Sequence, residues 1–304
     1  MGALILDTDI GTDIDDAFAL IYLLKKGCAL SGITTVYRNA RRRAKLCKAV
    51  LASMGLSAPE VYAGIDLPFV QDPASIEPAS CKQHYDENGR YIPPQCSDEY
   101  EGFPISSLSA VDFIIGECRR NERTDILAIG ALTNIAAALR IAPEIGEKIR
   151  LTMMGGCLKP LSLGGEPPHP VAEWNILCDP EAAHIVFTSD AEVRMVGLDV
   201  TLDAALPEEV FRRLKASSVC PVLDRMAAQW AAYYRTNTPV LYDPVAAVSL
   251  FSDCLGFEKR RLRVGLEGKE RGVVYEDGTG KEISVALRRR DELFYGEFLG
   301  VLGA

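Results

Sequence analysis

Five aspartates fall within ten residues near the start of the chain, in Asp7-Thr8-Asp9-Ile10-Gly11-Thr12-Asp13-Ile14-Asp15-Asp16-Ala17. Packed at the end of one strand, several carboxylates repel one another, and at neutral pH they must take up protons unless a cation offsets the charge. A hard divalent ion that prefers oxygen ligands, Ca²⁺ or Mg²⁺, is the natural partner. Helix capping explains only part of the cluster. Asp13, Asp15 and Asp16 precede an apolar-periodic segment, where acids favour the positive end of the helix dipole. Asp7 and Asp9 lie before the turn at Gly11 and alternate with Thr8 and Ile10 as strand residues do. The glycine and ligand spacing of an EF-hand loop is absent.

Alternating elements must position these acids. A strand over Leu4–Asp9, a helix over Asp15–Lys26 ended by Gly27 and a strand over Leu30–Val36 make a βαβ opening. Further strands are expected at Asp125–Ile129, Ile149–Met154 and Val193–Val200, with helices over Asn134–Arg140 and Pro180–Phe187. This alternation predicts an α/β fold, a single domain with an open, mostly parallel sheet flanked by helices. In such sheets ligands sit beyond the carboxyl ends of the strands, which is where Asp7 and Asp9 fall. The weakly patterned stretch 66–104, rich in Pro, Ser, Asn and Asp, reads as a loop insertion or flap.

Other residues with site chemistry follow later strands. Thr133 and Asn134 open a helix after Gly130, and Met154 leads the glycine pair Gly155-Gly156, which lets backbone approach a ligand closely. Glu173 and Asn175, two apart, can both aim into a pocket, and Asp179-Pro180 reads as a helix start. Asp243 precedes Pro244 and an apolar helical stretch, where a helix cap and a site role are equally open. His84, beside Tyr85, Asp86 and Asn88 in the flap, is a candidate substrate contact on closure.

Composition narrows the class. The formal charge of −9 over 304 residues argues against a nucleic-acid groove. The nine cysteines, Cys28, Cys47, Cys81, Cys96, Cys118, Cys157, Cys178, Cys220 and Cys254, are odd in number and form no CxxC pair, which suits reduced thiols in a cytoplasmic protein. The first residues show no secretory signal pattern, and no stretch is long and apolar enough to span a bilayer. The run Arg41-Arg42-Arg43 reads as a solvated helix face.

Taken together, the motifs resemble the inosine-uridine preferring nucleoside hydrolase family. The likeness rests on Asp7-Thr8-Asp9-Ile10-Gly11 with Asp15-Asp16-Ala17, Gly130 to Ile135, Met154 to Gly156, Glu173 to Asn175 with Asp179 to Ala183, Leu198 to Thr201, and Asp243-Pro244, in that order. The resemblance implies a Rossmann-like fold and hydrolysis of the N-glycosidic bond of a small-molecule ribonucleoside, with bound Ca²⁺ and a homodimer or homotetramer. It implies metal ligation by Asp9, Asp16, the carbonyl of Thr133 and Asp243, with Asp9 also the general base. Asn39, Glu173, Asn175 and Asp15 would hold ribose hydroxyls. Anionic groups suit an oxocarbenium-like transition state.

The chain also departs from the family pattern. Thr12-Asp13-Ile14 separates Gly11 from the Asp pair, two residues more than the common motif, so Asp13 or Asp15 can fill the ribose-binding position. Tyr242 stands where many members carry the histidine linked to protonation of the leaving base; a phenol stays protonated at pH 7 and can donate a hydrogen bond. Gly165 to Ala172 lacks an Asn often found there, with Glu166 and His169 as possible substitutes. Arg38 replaces a common Gly and can reach a substrate or point to solvent. Trp230, Tyr233 and Tyr234 can stack a base or pack in the core. These changes leave open a modified nucleoside or a nucleotide as substrate. A metal-dependent phosphatase and a non-catalytic ribose-binding protein are the more distant alternatives.

Overall fold

The computed structural model describes residues 4–56, 59–76, 84–162, 164–216 and 220–303. Among the described residues nine strands are β1 (Leu4–Thr8), β2 (Leu30–Thr35), β3 (Val61–Ala63), β4 (Thr124–Ala128), β5 (Ile149–Met154), β6 (Glu192–Val196), β7 (Leu255–Val264), β8 (Val274–Glu276) and β9 (Lys281–Arg289). The helices are α1 (Asp15–Lys25), α2 (Ala40–Ser53), α3 (Ala110–Arg120), α4 (Thr133–Ile141), α5 (Trp174–Cys178), α6 (Pro180–Thr188), α7 (Leu198–Thr201), α8 (Glu208–Ala216), α9 (Pro221–Tyr234), α10 (Tyr242–Val248) and α11 (Asp291–Leu302).

The strands form one sheet in the order β3-β2-β1-β4-β5-β6-β9-β7-β8. Pairing is parallel from β3 through β6 to β9 and antiparallel from β9 to β7 and β8. The sheet is therefore mostly parallel, as expected, with an antiparallel edge formed by β9, β7 and β8. Strand order reverses beside β1, so the carboxyl ends of β1 and β4 open a crevice there.

Both faces of the sheet are covered. Leu4 and Leu6 of β1 pack with α1, α10 and α11, whereas Ile5 packs on the opposite side with α3, α4 and α6, the alternation a strand requires. Phe18 of α1 meets Phe211 at 6.0 Å and Phe298 at 6.3 Å between ring centroids. Truncating so buried a ring costs about 3–5 kcal/mol. The apolar C-terminal helix is thus a core element, and the hydroxyl of Tyr22 donates to Glu297 at 3.0 Å.

The sequence expectation fails at two places in the frame. The strand expected over Val193–Val200 stops at Val196, and Leu198–Thr201 is helical. Gly197 brings the chain so close to Gly156 that a Cβ there would lie 2.5 Å from its carbonyl oxygen. Asp199 then accepts from the backbone N–H groups of Leu158 and Lys159, each at 2.9 Å, fixing the chain that follows Met154-Gly155-Gly156. Arg43 is not on a solvated face either: it is 1 % exposed.

The described part of the stretch 66–104 is poor in regular structure, with short 3-10 turns at Pro73–Ser75 and Asp98–Tyr100; residues 77–83 lie outside the described residues, Cys81 among them. Its described part folds back on the turn after β1. The backbone N–H of Gln95 donates to Gly11 O at 2.9 Å, and its buried side-chain amide donates to the carbonyls of Thr12 at 2.9 Å and Asp13 at 2.8 Å. The eight described cysteines are free thiols, and no helix among the described residues is long and apolar enough to cross a membrane.

Candidate active site

The crevice at the carboxyl ends of β1, β4 and β5 holds a cavity of about 600 Å³. Asp9, Asp13, Asp15, Asp16, Met154, Glu173, Asn175, Tyr242 and Asp243 line it, together with Trp174, Tyr233 and Tyr234. Most of the residues expected at a site therefore meet, although they come from distant parts of the chain.

The carboxylates are held by elements with no freedom to spread them. Asp15 and Asp16 begin α1. Thr8 donates to Asp16 Oδ1 at 2.5 Å, and the backbone N–H of Asp243, in the first turn of α10, donates to Asp15 Oδ2 at 3.0 Å. Oxygens of Asp15, Asp16 and Asp243 all lie within 4.8 Å of one another in a buried cluster. Burial and mutual repulsion raise the pKa of each well above the carboxylate range. A cation would relieve both costs, so the donor set fits a hard divalent metal. The compact group contains Asp15, whereas the sequence reading placed Asp9 beside Asp16 and Asp243.

Asp9 faces the same cavity, and burial raises its pKa. The opposing influence is Arg43, whose guanidinium donates to the carbonyls of Asp9, Ile10 and Tyr37. This buried cation fixes the turn after β1 and favours the ionised form of Asp9. The basic run concealed its role, but Ala40, Arg43, Ala44 and Cys47 follow the i, i+3, i+4, i+7 spacing of a buried helix face.

Glu173 caps α5. Its oxygens accept from the backbone N–H groups of Asn175 and Gly156, each at 2.9 Å, and of Ile176 at 3.2 Å. Burial still pushes its carboxyl up to about 7. Gly155, at φ 152°, could carry a Cβ only 3.1 Å from Glu173 Oε2, so the glycine pair makes room for this acid. The Asn175 amide donates to Met154 O at 3.2 Å. Tyr242 is half-buried, and burial with the nearby Asp13 and Asp15 charges pushes its phenol up to about 12. It stays a donor at neutral pH.

Behind the cavity, Asp7 takes Thr34 Oγ1 at 2.5 Å and Asn134 Nδ2 at 2.8 Å on one oxygen, while its other oxygen is buried without a partner. Burial pushes this carboxyl up to about 7. It braces β1, β2 and α4 and does not line the cavity.

Several of the expected residues stand outside the lining. Asn39 is left-handed at φ 72° and caps α2, its amide donating to Tyr91 O at 2.8 Å. The Thr133 hydroxyl donates to Asp179 at 2.8 Å. His84 meets the ring of Tyr233 edge-on at 5.1 Å, and burial lowers its pKa. Glu166 and His169 are exposed. Arg38 neither reaches the cavity nor points to solvent; its guanidinium lies 4.0 Å from the centre of the Tyr91 ring and bonds Tyr85. Trp230 is 3 % exposed and packs on Phe211, yet its indole N–H also donates to Asp13 Oδ1 at 2.8 Å, a polar role that packing periodicity does not reveal.

The family model for inosine-uridine preferring nucleoside hydrolases matches residues 4–295. The chain belongs to this family. It is 33 % identical over 281 residues to the inosine-uridine preferring nucleoside hydrolase of Crithidia fasciculata, covering 87 % of this chain and 83 % of that protein. The structure is similar to that of a purine-preferring ribonucleoside hydrolase from Gardnerella vaginalis, with TM-score 0.80, 28 % identity and coverage of 99 % of this chain and 98 % of that one. The fold of the Bacillus anthracis inosine-uridine preferring nucleoside hydrolase is also shared, with TM-score 0.74 and 99 % of both chains covered. As a nucleoside hydrolase the protein is an N-glycosidase of ribonucleosides.

Proposed function

We propose that this nucleoside hydrolase splits a ribonucleoside into free base and ribose by a Ca²⁺-dependent attack of water on C1′. The observation that carries the reading is the buried triad Asp15, Asp16 and Asp243 sharing one cavity with Asp9. Asp16, Asp243 and Asp15 would hold the cation, with Asp9 and the carbonyl of Thr133 as the further ligands the family likeness suggests. When bound, the cation offsets the carboxylate charge and supplies Lewis acidity toward water and the ribose diol.

Asp9 takes a proton from the attacking water, whose oxygen bonds to C1′ as the C1′–N bond breaks and its electron pair leaves with the base. Glu173 and Asn175, with Asp15, orient ribose hydroxyls, and the surrounding anions favour the positive charge that develops on the sugar. Tyr242 donates a hydrogen bond to the departing base, where negative charge accumulates. Asn39 shapes the turn into α2, since its amide is already engaged. Met154 forms floor beneath the sugar, and His84 backs Tyr233 from the flap.

We take residues 1–304 as one domain in which 66–104 acts as the flap, working as a cytoplasmic homodimer or homotetramer on a free nucleoside, without nucleic-acid or membrane partners. The test is release of reducing ribose from a nucleoside panel, before and after chelation and with Ca²⁺ or Mg²⁺ restored. Release that vanishes on chelation and returns with Ca²⁺ supports the reading. Phosphate appearing only from phosphorylated compounds would replace it with a phosphatase.

A further inference from the structure

Asp13 lies in the turn between β1 and α1, and its side chain is unusually well fixed. The carbonyls of Thr12 and Asp13 take the buried amide of Gln95. Its carboxylate Oδ1 accepts from Trp230 Nε1 at 2.8 Å and from the backbone N–H of Ile14 at 2.7 Å. A residue that merely opened a helix would not need an indole from 217 positions away. These bonds keep one carboxylate in a single orientation at the cavity.

The surroundings say what that carboxylate meets. Trp230 lies 5.8 Å from Tyr234, which lies 4.8 Å from Tyr233, measured between ring centroids, and both tyrosines line the cavity. Asp13 therefore stands at the aromatic wall, the part of the site able to stack a base. Asp13 also lies close enough to Asp15 and Asp243 for its charge to bear on both, so it stands between this wall and the triad, whose oxygens suit a cation and a sugar. The backbone N–H of Asp15 also bonds this carboxylate, and among the described residues Trp230 is the only side chain that donates to it. An anionic acceptor there attracts N–H donors and repels carbonyl oxygens and ring-nitrogen lone pairs.

We propose that Asp13 selects the leaving base, favouring nucleobases whose N–H₂ donates to its carboxylate over bases that carry hydrogen or a carbonyl oxygen in place of the amino group. The proposal rests on the ribonucleoside reading of the cavity and adds the edge of the base that the site reads.

The test compares kcat/KM within three pairs: adenosine and purine riboside, cytidine and uridine, guanosine and inosine. In at least one pair the amino-bearing member is favoured about tenfold or more, the scale of one charge-assisted hydrogen bond. In Asp13→Asn the Trp230 and Ile14 N–H groups still hold the side-chain oxygen, so the amide N–H₂ faces the ligand. The preference then collapses or reverses, through KM more than kcat. Trp230→Phe, which loosens the anchor and keeps the charge, gives an intermediate preference. Wild-type protein with no preference in any pair overturns the proposal, whether or not the variants fold. So does an Asp13→Asn protein that slows both members of every pair equally.

Equilibrium binding of the same six nucleosides to Asp9→Asn protein separates this proposal from the hydrolase mechanism. Amino-selective binding without wild-type hydrolysis retains Asp13 and removes the mechanism. Hydrolysis without selectivity removes only the role of Asp13, and absence of both removes both.

Discussion

The backbone N–H of Asp243 donates to Asp15 Oδ2 at 3.0 Å, joining the first turn of α10 to the first turn of α1 across 228 residues of sequence. This bond closes the acidic triad. It places two carboxylates at adjacent helix starts, where the dipoles soften a repulsion that sequence distance hides.

Removing the metal should abolish turnover and reveal the strain of the buried acids. Asp7 and Glu173 have folded pKa values of about 7, above their ordinary 3.8 and 4.5. A raised carboxyl pKa means the folded state holds protons that the unfolded state has lost, so stability falls as pH rises from about 4 through 7. The Tm of chelated protein should drop over that window, and Ca²⁺ at pH 7.5, taken as roughly physiological, should restore it by mass action. A flat Tm profile in chelated protein would contradict the raised values.

Asp9→Asn should retain nucleoside binding and lose turnover by about 10²–10⁴-fold, the range for a missing general base. Single-turnover ribose release and equilibrium binding, run side by side, check this. Loss of binding in step with rate would make Asp9 a structural residue.

Tyr242→Phe should slow nucleosides by about 10²-fold while sparing p-nitrophenyl riboside, whose leaving group needs no proton. Equal slowing of both substrates would assign Tyr242 to sugar or metal positioning.

Arg43→Met should destabilise the fold by about 2–4 kcal/mol, because the buried carbonyls of Asp9, Ile10 and Tyr37 lose a charged donor. Loss of the cation also raises the pKa of Asp9, so the acidic limb of the pH–kcat/KM profile should move to higher pH. Denaturant titration and the pH profile report the two effects separately.

Much of the frame was readable because its cause is local. The apolar run of β1, the helical period of α1 and the acid-proline start of α6 each sit within a few residues of the signal that forms them. The ends of elements were less legible where tertiary contacts intervene. Val193–Val200 carries β-branched residues and reads as one strand, but the close approach of Gly197 to Gly156 breaks it and turns Asp199 toward the Leu158 and Lys159 amides. Arg43 was misread because a triplet of arginines looks solvated, while helix geometry sends one of the three inward.

By itself the sequence determined the family, the α/β alternation and the acids that could serve a cation, since residue type and order carry that information. Which acids become neighbours was decided by the tertiary structure. Parallel pairing of β1 with β4 and β2 opens the crevice, and the packing of α10 against α1 carries Asp243 to Asp15 and Asp16. Likewise, only the fold brings Trp230 to Asp13 and Asn39 to Tyr91. The physical reason is the range of the forces. Propensity and periodicity act over a few residues, whereas the charge and hydrogen-bond partners of a buried group come from whatever the core packing brings within about 3 Å.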